Sequence, residues 1–265
     1  MRKLNILLLG GTKDSTEIIK HLKKNYDTYI LTTTTTEYGS KLALEAGSDD
    51  TISRRILKDE FIEIINNSDF DLLIDATHPF AEHITQTSAS LSKICEIEYI
   101  RFERPPLNFK DMDTTHIIYA KSFEDAGEII ARQIPEGNVL HFAGANTMED
   151  ILKNVSKDRF YPRILKVPKS IEKCEKLGIA NDHIIPMNGA ASLKENIDLI
   201  EKYDASVMIT KESGEIGGVV EKIEAANQKN ISLIMIKRPV IKELNKKDTV
   251  SNLNEFDKKL EKIFD

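Results

Sequence analysis

Apolar residues along the chain follow two alternating rhythms. Short runs rich in apolar residues at 4–9, 29–33, 71–75 and 98–102 are each closed by Gly, Thr, Asp or Glu. Between them the apolar positions fall at helical spacing, as with Ile18, Ile19 and Leu22 inside 13–24. Further helices are predicted at 41–46, 59–65 and 81–94, with a short strand at 51–52. Apolar-rich runs of this length suit strands buried on both faces, and strands alternating with helices predict a parallel sheet covered on both sides.

A second series of the same kind begins after the polar stretch RPPLNFKDMDTT (104–115), whose two prolines read as a linker. Its strands are predicted at 117–119, 139–142, 163–167, 183–187, 207–210 and 233–236. Its helices are predicted at 123–132, 171–176, 193–202 and 218–228, and a terminal helix at 252–264. The expected fold is α/β: two Rossmann-like parallel-sheet domains, 1–107 and 108–265, with a cleft between them. The first would bind a dinucleotide, and the second would complete the cofactor and substrate cleft.

Charge and composition narrow the functions. A formal net charge of −6 argues against general nucleic-acid binding, which needs excess Lys and Arg. No apolar run approaches the roughly 18 residues of a membrane span. The opening MRKLNILLLGGT is too short an apolar run for a signal peptide and reads as a first strand. Cys95 and Cys174 lie far apart without companion thiols, so neither a disulfide nor a metal site is read. The expected location is cytoplasmic, and the oligomeric state stays open.

Candidate chemistry sits where strands end. Gly10, Gly11, Thr12 and Ser15 form a glycine turn leading into a helix, a place where backbone N–H groups meet phosphate. Thr12 and Ser15 stand where the dinucleotide fingerprint has glycine, and such a turn can also serve geometry alone. Thr33 and Thr34 end the second strand, where an NAD site carries a carboxylate. Hydroxyls there, with Lys41, Arg54 and Arg55 nearby, favour NADP over NAD. A Thr run is also simply good strand sequence.

The next strand ends in Asp75, Ala76, Thr77 and His78, with Pro79 at the expected helix start. Asp75 reads chiefly as a loop anchor; His78 divides between structure and function. His78, Glu82 and His83 match no zinc spacing. In the second series, Lys211, Ser213 and Gly214 follow a strand and lead through Gly217 and Gly218 into a helix, the makings of an anion site. Arg101, Arg104, Arg163 and Arg238 stand at strand ends, two of them before proline, well placed to grip a carboxylate. No nucleophile triad can be assembled, and Tyr38, Tyr99 and Tyr119 lack a Lys four residues on.

Together ILLLGGT (6–12), DATHPFA (75–81), RFERP (101–105), ITKESGEIGGVVEKIEAA (209–226) and MIKRP (235–239) resemble the precorrin-6A reductases of cobalamin biosynthesis, over most of the chain. The resemblance implies NADPH held in the cleft and hydride transfer to one C=C bond of the precorrin-6A macrocycle, the tetrapyrrole being the expected partner. It implies cofactor contacts from Gly10, Gly11, Thr12, Ser15, Thr33, Thr34, Asp75, Ala76, Thr77, Lys211, Ser213 and Gly214. Substrate carboxylates would meet Arg101, Arg104 and Lys211, and His78 is the candidate proton donor. A Gly-Arg pair expected near residues 54 and 55 is Arg54-Arg55 here. TTTTTEYG looks like the anaerobic branch, which favours the cobalt-bearing substrate. The alternatives are another NADP-dependent small-molecule reductase and a non-catalytic NADP sensor.

Overall fold

The strands pair in parallel throughout the computed structural model, which describes residues 3–214 and 217–264. The chain opens with β1 (Leu4–Leu9), α1 (Lys13–Asn25), β2 (Thr28–Thr34), α2 (Glu37–Ala46), β3 (Asp50–Ser53), α3 (Lys58–Asn67), β4 (Leu72–Asp75), α4 (Glu82–Ile94) and β5 (Glu98–Phe102). It continues with β6 (Ile117–Ala120), α5 (Phe123–Gln133), β7 (Asn138–His141), α6 (Met148–Leu152), β8 (Phe160–Ile164), α7 (Pro168–Lys176), β9 (Ile185–Pro186), α8 (Leu193–Lys202), β10 (Ala205–Lys211), α9 (Val219–Lys229) and β11 (Ser232–Ile236). The last elements are β12 (Thr249–Val250) and α10 (Leu253–Phe264).

Two six-stranded sheets result, ordered β12-β5-β4-β1-β2-β3 and β6-β11-β10-β7-β8-β9. In β1 the period of two sends Ile6 and Leu8 into one core with Ile18, Ile19 and Leu22 of α1, while Leu7 and Leu9 enter the other with Phe61, Ile65 and Leu91. This two-sided burial is why the strand is apolar without a break from Ile6 to Leu9. The second sheet packs Leu140, Met208, Leu233 and Met235 against Ile200, Val219 and Ile223.

The division into units departs from the expected 107/108 boundary. One unit comprises the residues up to Pro105 together with those from Pro239 onward; the other is Pro106–Arg238. The C-terminal segment returns to the first sheet: Thr249 and Val250 pair with Arg101 and Phe102, and Phe256 and Leu260 of α10 enter the α1 core. Asp257 accepts a hydrogen bond from Tyr26 (3.0 Å) and pairs with His21 (2.7 Å). The expected linker is partly core, since Leu107 is buried in the second unit with Phe109 and Met112 against it.

Other boundaries moved for local reasons. α2 starts at Glu37 because Thr36 Oγ1 accepts the Gly39 N–H. α4 starts at Glu82, not at Pro79; Pro79 lies in a turn closed by Ala81 N–H to the His78 carbonyl (2.8 Å). β8 runs Phe160–Ile164, three residues earlier than the pattern predicts at its start.

Candidate functional site

The carboxyl edge of the first sheet holds a pocket of about 930 Å³. Its lining includes Gly10, Gly11 and Thr12 after β1, Thr33 to Thr35 at the end of β2, Arg54 to Lys58 after β3, and Thr77, His78 and Phe80 after β4. Helix α1 begins here under a capping box: Thr12 Oγ1 accepts the Ser15 N–H and Ser15 Oγ accepts the Thr12 N–H, both at 3.1 Å. Thr12 Oγ1 also donates to the Ala76 carbonyl at 2.8 Å, tying the glycine turn to the neighbouring strand end.

The two glycines have different reasons. A Cβ on Gly10 would stand 2.9 Å from Thr32 Cγ2, so the turn packs tightly on β2. Gly11 has φ of +98°, and a Cβ added there would meet nothing within 4 Å, so its backbone faces open space. An open glycine backbone at a helix N-terminus is a cradle that fits a pyrophosphate.

Behind the pocket lies a closed ionic network. Asp75 and Arg101 are both wholly buried. Asp75 Oδ1 accepts from Arg101 Nη1 (2.8 Å), Thr77 Oγ1 (2.7 Å) and Thr77 N–H (3.0 Å), and Oδ2 accepts from Tyr99 OH (3.2 Å). Arg101 Nε and Nη2 both donate to Glu103, and Nη1 also reaches the Thr77 carbonyl. Burial, then the Asp75 carboxylate, pushes the Tyr99 phenol well up, so it stays a donor. The network fixes the Thr77–His78 loop that lines the pocket. His78 itself is exposed, and its Nδ1 accepts the Phe80 N–H at 3.2 Å, which leaves Nε2 as the protonated nitrogen of the neutral ring.

The carboxyl edge of the second sheet gathers the half-buried Lys211 with the buried Lys222 and His141. Lys211 ends β10, its ammonium 5.5 Å from the centre of the Phe123 ring, and burial pushes its pKa down to about 8. Lys222 is buried in the first turn of α9 and donates to the Gly217 (2.7 Å) and Gly218 (3.1 Å) carbonyls, pinning the glycine turn. Burial, with Arg163 adding to it, also holds Lys222 at about 8. His141 ends β7 with no exposure; its Nε2–H is directed at the Gly144 carbonyl (3.2 Å) and Thr147 Oγ1 (3.0 Å). Burial pushes His141 down to about 3, and Lys211 presses in the same direction, so the ring is neutral. Glu215 and Ile216, within the TKESGEIGG motif, lie outside the described residues.

The structure therefore sorts the sequence candidates into three groups. Gly10, Gly11, Thr12, Thr33, Thr34, Thr77 and His78 meet in the first-unit pocket. Ser15, Asp75 and Ala76 stand behind it as support, and the Thr34 hydroxyl is engaged with the Thr36 carbonyl and Ser40. Lys211, Ser213 and Gly214 belong to the second sheet's edge.

The strand-end arginines are corrected. They do grip acceptors, but the protein's own: Arg101 holds Asp75 and Glu103, and Arg104 holds Asp14. Arg238 holds Glu212, and Arg163 donates to the Gly189 carbonyl while stacking over Phe142. Arg101 has no surface left for a substrate carboxylate. His141 and Lys222 do not stand out in the sequence, because neither burial nor a backbone partner marks them in the local pattern.

Comparison with known proteins identifies the family and the fold. The family model described as precorrin-6x reductase CbiJ/CobK matches residues 5–261. The chain is 36% identical to the cobalt-precorrin-6A reductase of Methanothermobacter thermautotrophicus, over 96% of this chain and 82% of that protein. It is 37% identical to the cobalt-precorrin-6A reductase of Methanocaldococcus jannaschii, over 90% of this chain and 92% of the relative. A solved structure of CobK precorrin-6A reductase superimposes with a TM-score of 0.76 at 16% identity, covering 98% of both chains, which shows a shared fold. Among the described residues, no helix is long and apolar enough to cross a membrane.

Proposed function

The chain belongs to the precorrin-6x reductase family of cobalamin biosynthesis, and on that premise we propose that it uses NADPH to reduce one C=C bond of cobalt-precorrin-6A. The observation that carries the cofactor half is the first-unit pocket: an open glycine cradle at the start of α1, with hydroxyls and arginines where an NAD site carries a carboxylate. The relatives named as cobalt-precorrin-6A reductases support the cobalt-bearing form. Two free thiols, Cys95 and Cys174, suit a reducing cytoplasm.

When bound, NADPH supplies the hydride. The chain's own residues do the rest. Gly10, Gly11 and Thr12 would take the pyrophosphate, and Leu9, Ile56 and Phe80 give the pocket an apolar lining that excludes water. Lys211 at the second sheet's edge would take an acetate or propionate of the macrocycle, its attraction for a carboxylate strengthened by partial desolvation. His78 is the proposed proton donor: as an imidazolium it gives up one ring proton to the carbon beside the hydride acceptor and becomes neutral, and the resting neutral ring is the Nε2–H tautomer whose Nδ1 accepts the Phe80 N–H.

Anaerobic incubation with NADPH and cobalt-precorrin-6A tests this reading. The expected result is loss of NADPH absorbance matched by a shift of the macrocycle spectrum. Binding of NADPH without either change would make the protein a nucleotide sensor and end the reductase reading.

A further inference from the structure

The pocket's outer rim is a cluster of three cations. All three line it, Arg54 and Arg55 on the loop that joins β3 to α3 and Lys58 at the start of α3. β3 is the edge strand of the first sheet and lies directly outside β2, pairing Thr33 with Ile52 and Thr34 with Ser53. In a dinucleotide site the adenosine ribose sits by the end of the second strand, and a 2′-phosphate on it is met by arginine nearby. The β3 end is therefore where that phosphate would fall.

The cations are not equivalent. Both Nη atoms of Arg54 are engaged with the Glu60 carboxylate, Nη1 at 2.7 Å from Oε2. That hydrogen bond holds Glu60 below the usual carboxylate range. Arg55 is exposed and makes no hydrogen bond or ion pair among the described residues. Its planar fork is thus available for the bidentate grip that phosphate favours, whereas Arg54 must first leave Glu60.

Resting on the nucleotide reading of this pocket, we propose that Arg55 discriminates NADPH from NADH by binding the 2′-phosphate, while Glu60 holds Arg54 in reserve. Glu60 is then a specificity determinant of opposite sign: it limits how strongly the rim attracts the phosphate.

Calorimetric titration of the purified full-length chain with 2′,5′-ADP and with 5′-ADP tests the assignment without turnover. Wild type is expected to favour 2′,5′-ADP by about 10–100-fold, the range of a charge-assisted bidentate contact. Arg55→Ala should lose most of that ratio and keep its 5′-ADP affinity, which also reports that the pocket is folded. Arg54→Ala should lose no more than about 3-fold, a surface-charge effect. Glu60→Gln in the Arg55→Ala background should restore part of the ratio by releasing Arg54. If Arg54→Ala abolishes the preference and Arg55→Ala retains it, the assignment is overturned while the NADPH reading stands. If wild type shows no preference between the two ligands, the NADPH reading falls with it.

Discussion

The carboxyl edges of the two sheets handle buried charge in opposite ways. At the first, Arg101 is surrounded by Asp75, Glu103 and Thr77, so its charge is consumed inside the protein. What faces the pocket is glycine backbone, hydroxyls, His78, apolar side chains such as Leu9 and Phe80, and the Arg54–Lys58 rim. At the second, Lys211 is half-buried and Lys222 buried, desolvation outweighs any neighbouring opposite charge, and both sit at about 8. A compensated network makes a rigid support. A base held at a depressed pKa is primed for a ligand that brings negative charge with it. Under the proposed function, the first edge would recognise a nucleotide by shape and the second a polycarboxylate by charge.

The largest effect that would break this contrast lies in the first network. Arg101→Met should destabilise the protein by about 3–5 kcal/mol in urea unfolding, because Asp75 would be left buried and charged. A loss below about 1 kcal/mol would mean that the network is not a support. Next, Lys211→Ala should lower kcat/KM for the macrocycle by about 10–100-fold, mainly through KM. In wild type, kcat/KM should fall as pH rises through about 8, where the Lys211 ammonium loses its proton. Lys211→Arg should remove that alkaline limb, since guanidinium stays charged.

His141 sharpens the same contrast in the acid range. Its folded pKa of about 3 lies below the unfolded value near 6.5, so the unfolded chain binds the extra proton between them. The stability it contributes is complete above the unfolded value and is lost as pH falls through that window, by up to about 1.4 kcal/mol per pH unit. His141→Gln should flatten the slope relative to wild type by about one proton; an unchanged slope would show that the ring is not held neutral. The smallest effect is expected at Thr12. Thr12→Val should cost about 1 kcal/mol of stability, through the lost cap and the lost bond to Ala76, and should weaken NADPH binding more than macrocycle binding.

The first sheet was legible because each of its main strands is rich in apolar residues and is closed by polar ones. The return of the C-terminus was not: Thr249–Val250 is two residues long and acquires its identity only by pairing with Arg101 and Phe102, far away in sequence. β8 was misplaced because Pro162 sits inside it, and a proline inside a strand argues against a ladder that needs its N–H. The glycine turn and the DATH cluster were readable as a site, since strand ends at a parallel sheet's carboxyl edge collect ligands. The arginines misled for a physical reason. A guanidinium at a strand end seeks a carboxylate, and the pattern cannot tell Asp75, Asp14 or Glu212 from a substrate.

The division of labour between the edges is tested most directly by measuring two dissociation constants, for NADP+ and for the macrocycle, in Gly10→Val and Lys211→Ala. The account predicts a crossed pattern: Gly10→Val loses NADP+ affinity because its side chain strikes Thr32, and Lys211→Ala loses macrocycle affinity, each keeping the other ligand. Both variants losing the same ligand, with the other unchanged in each, would contradict it.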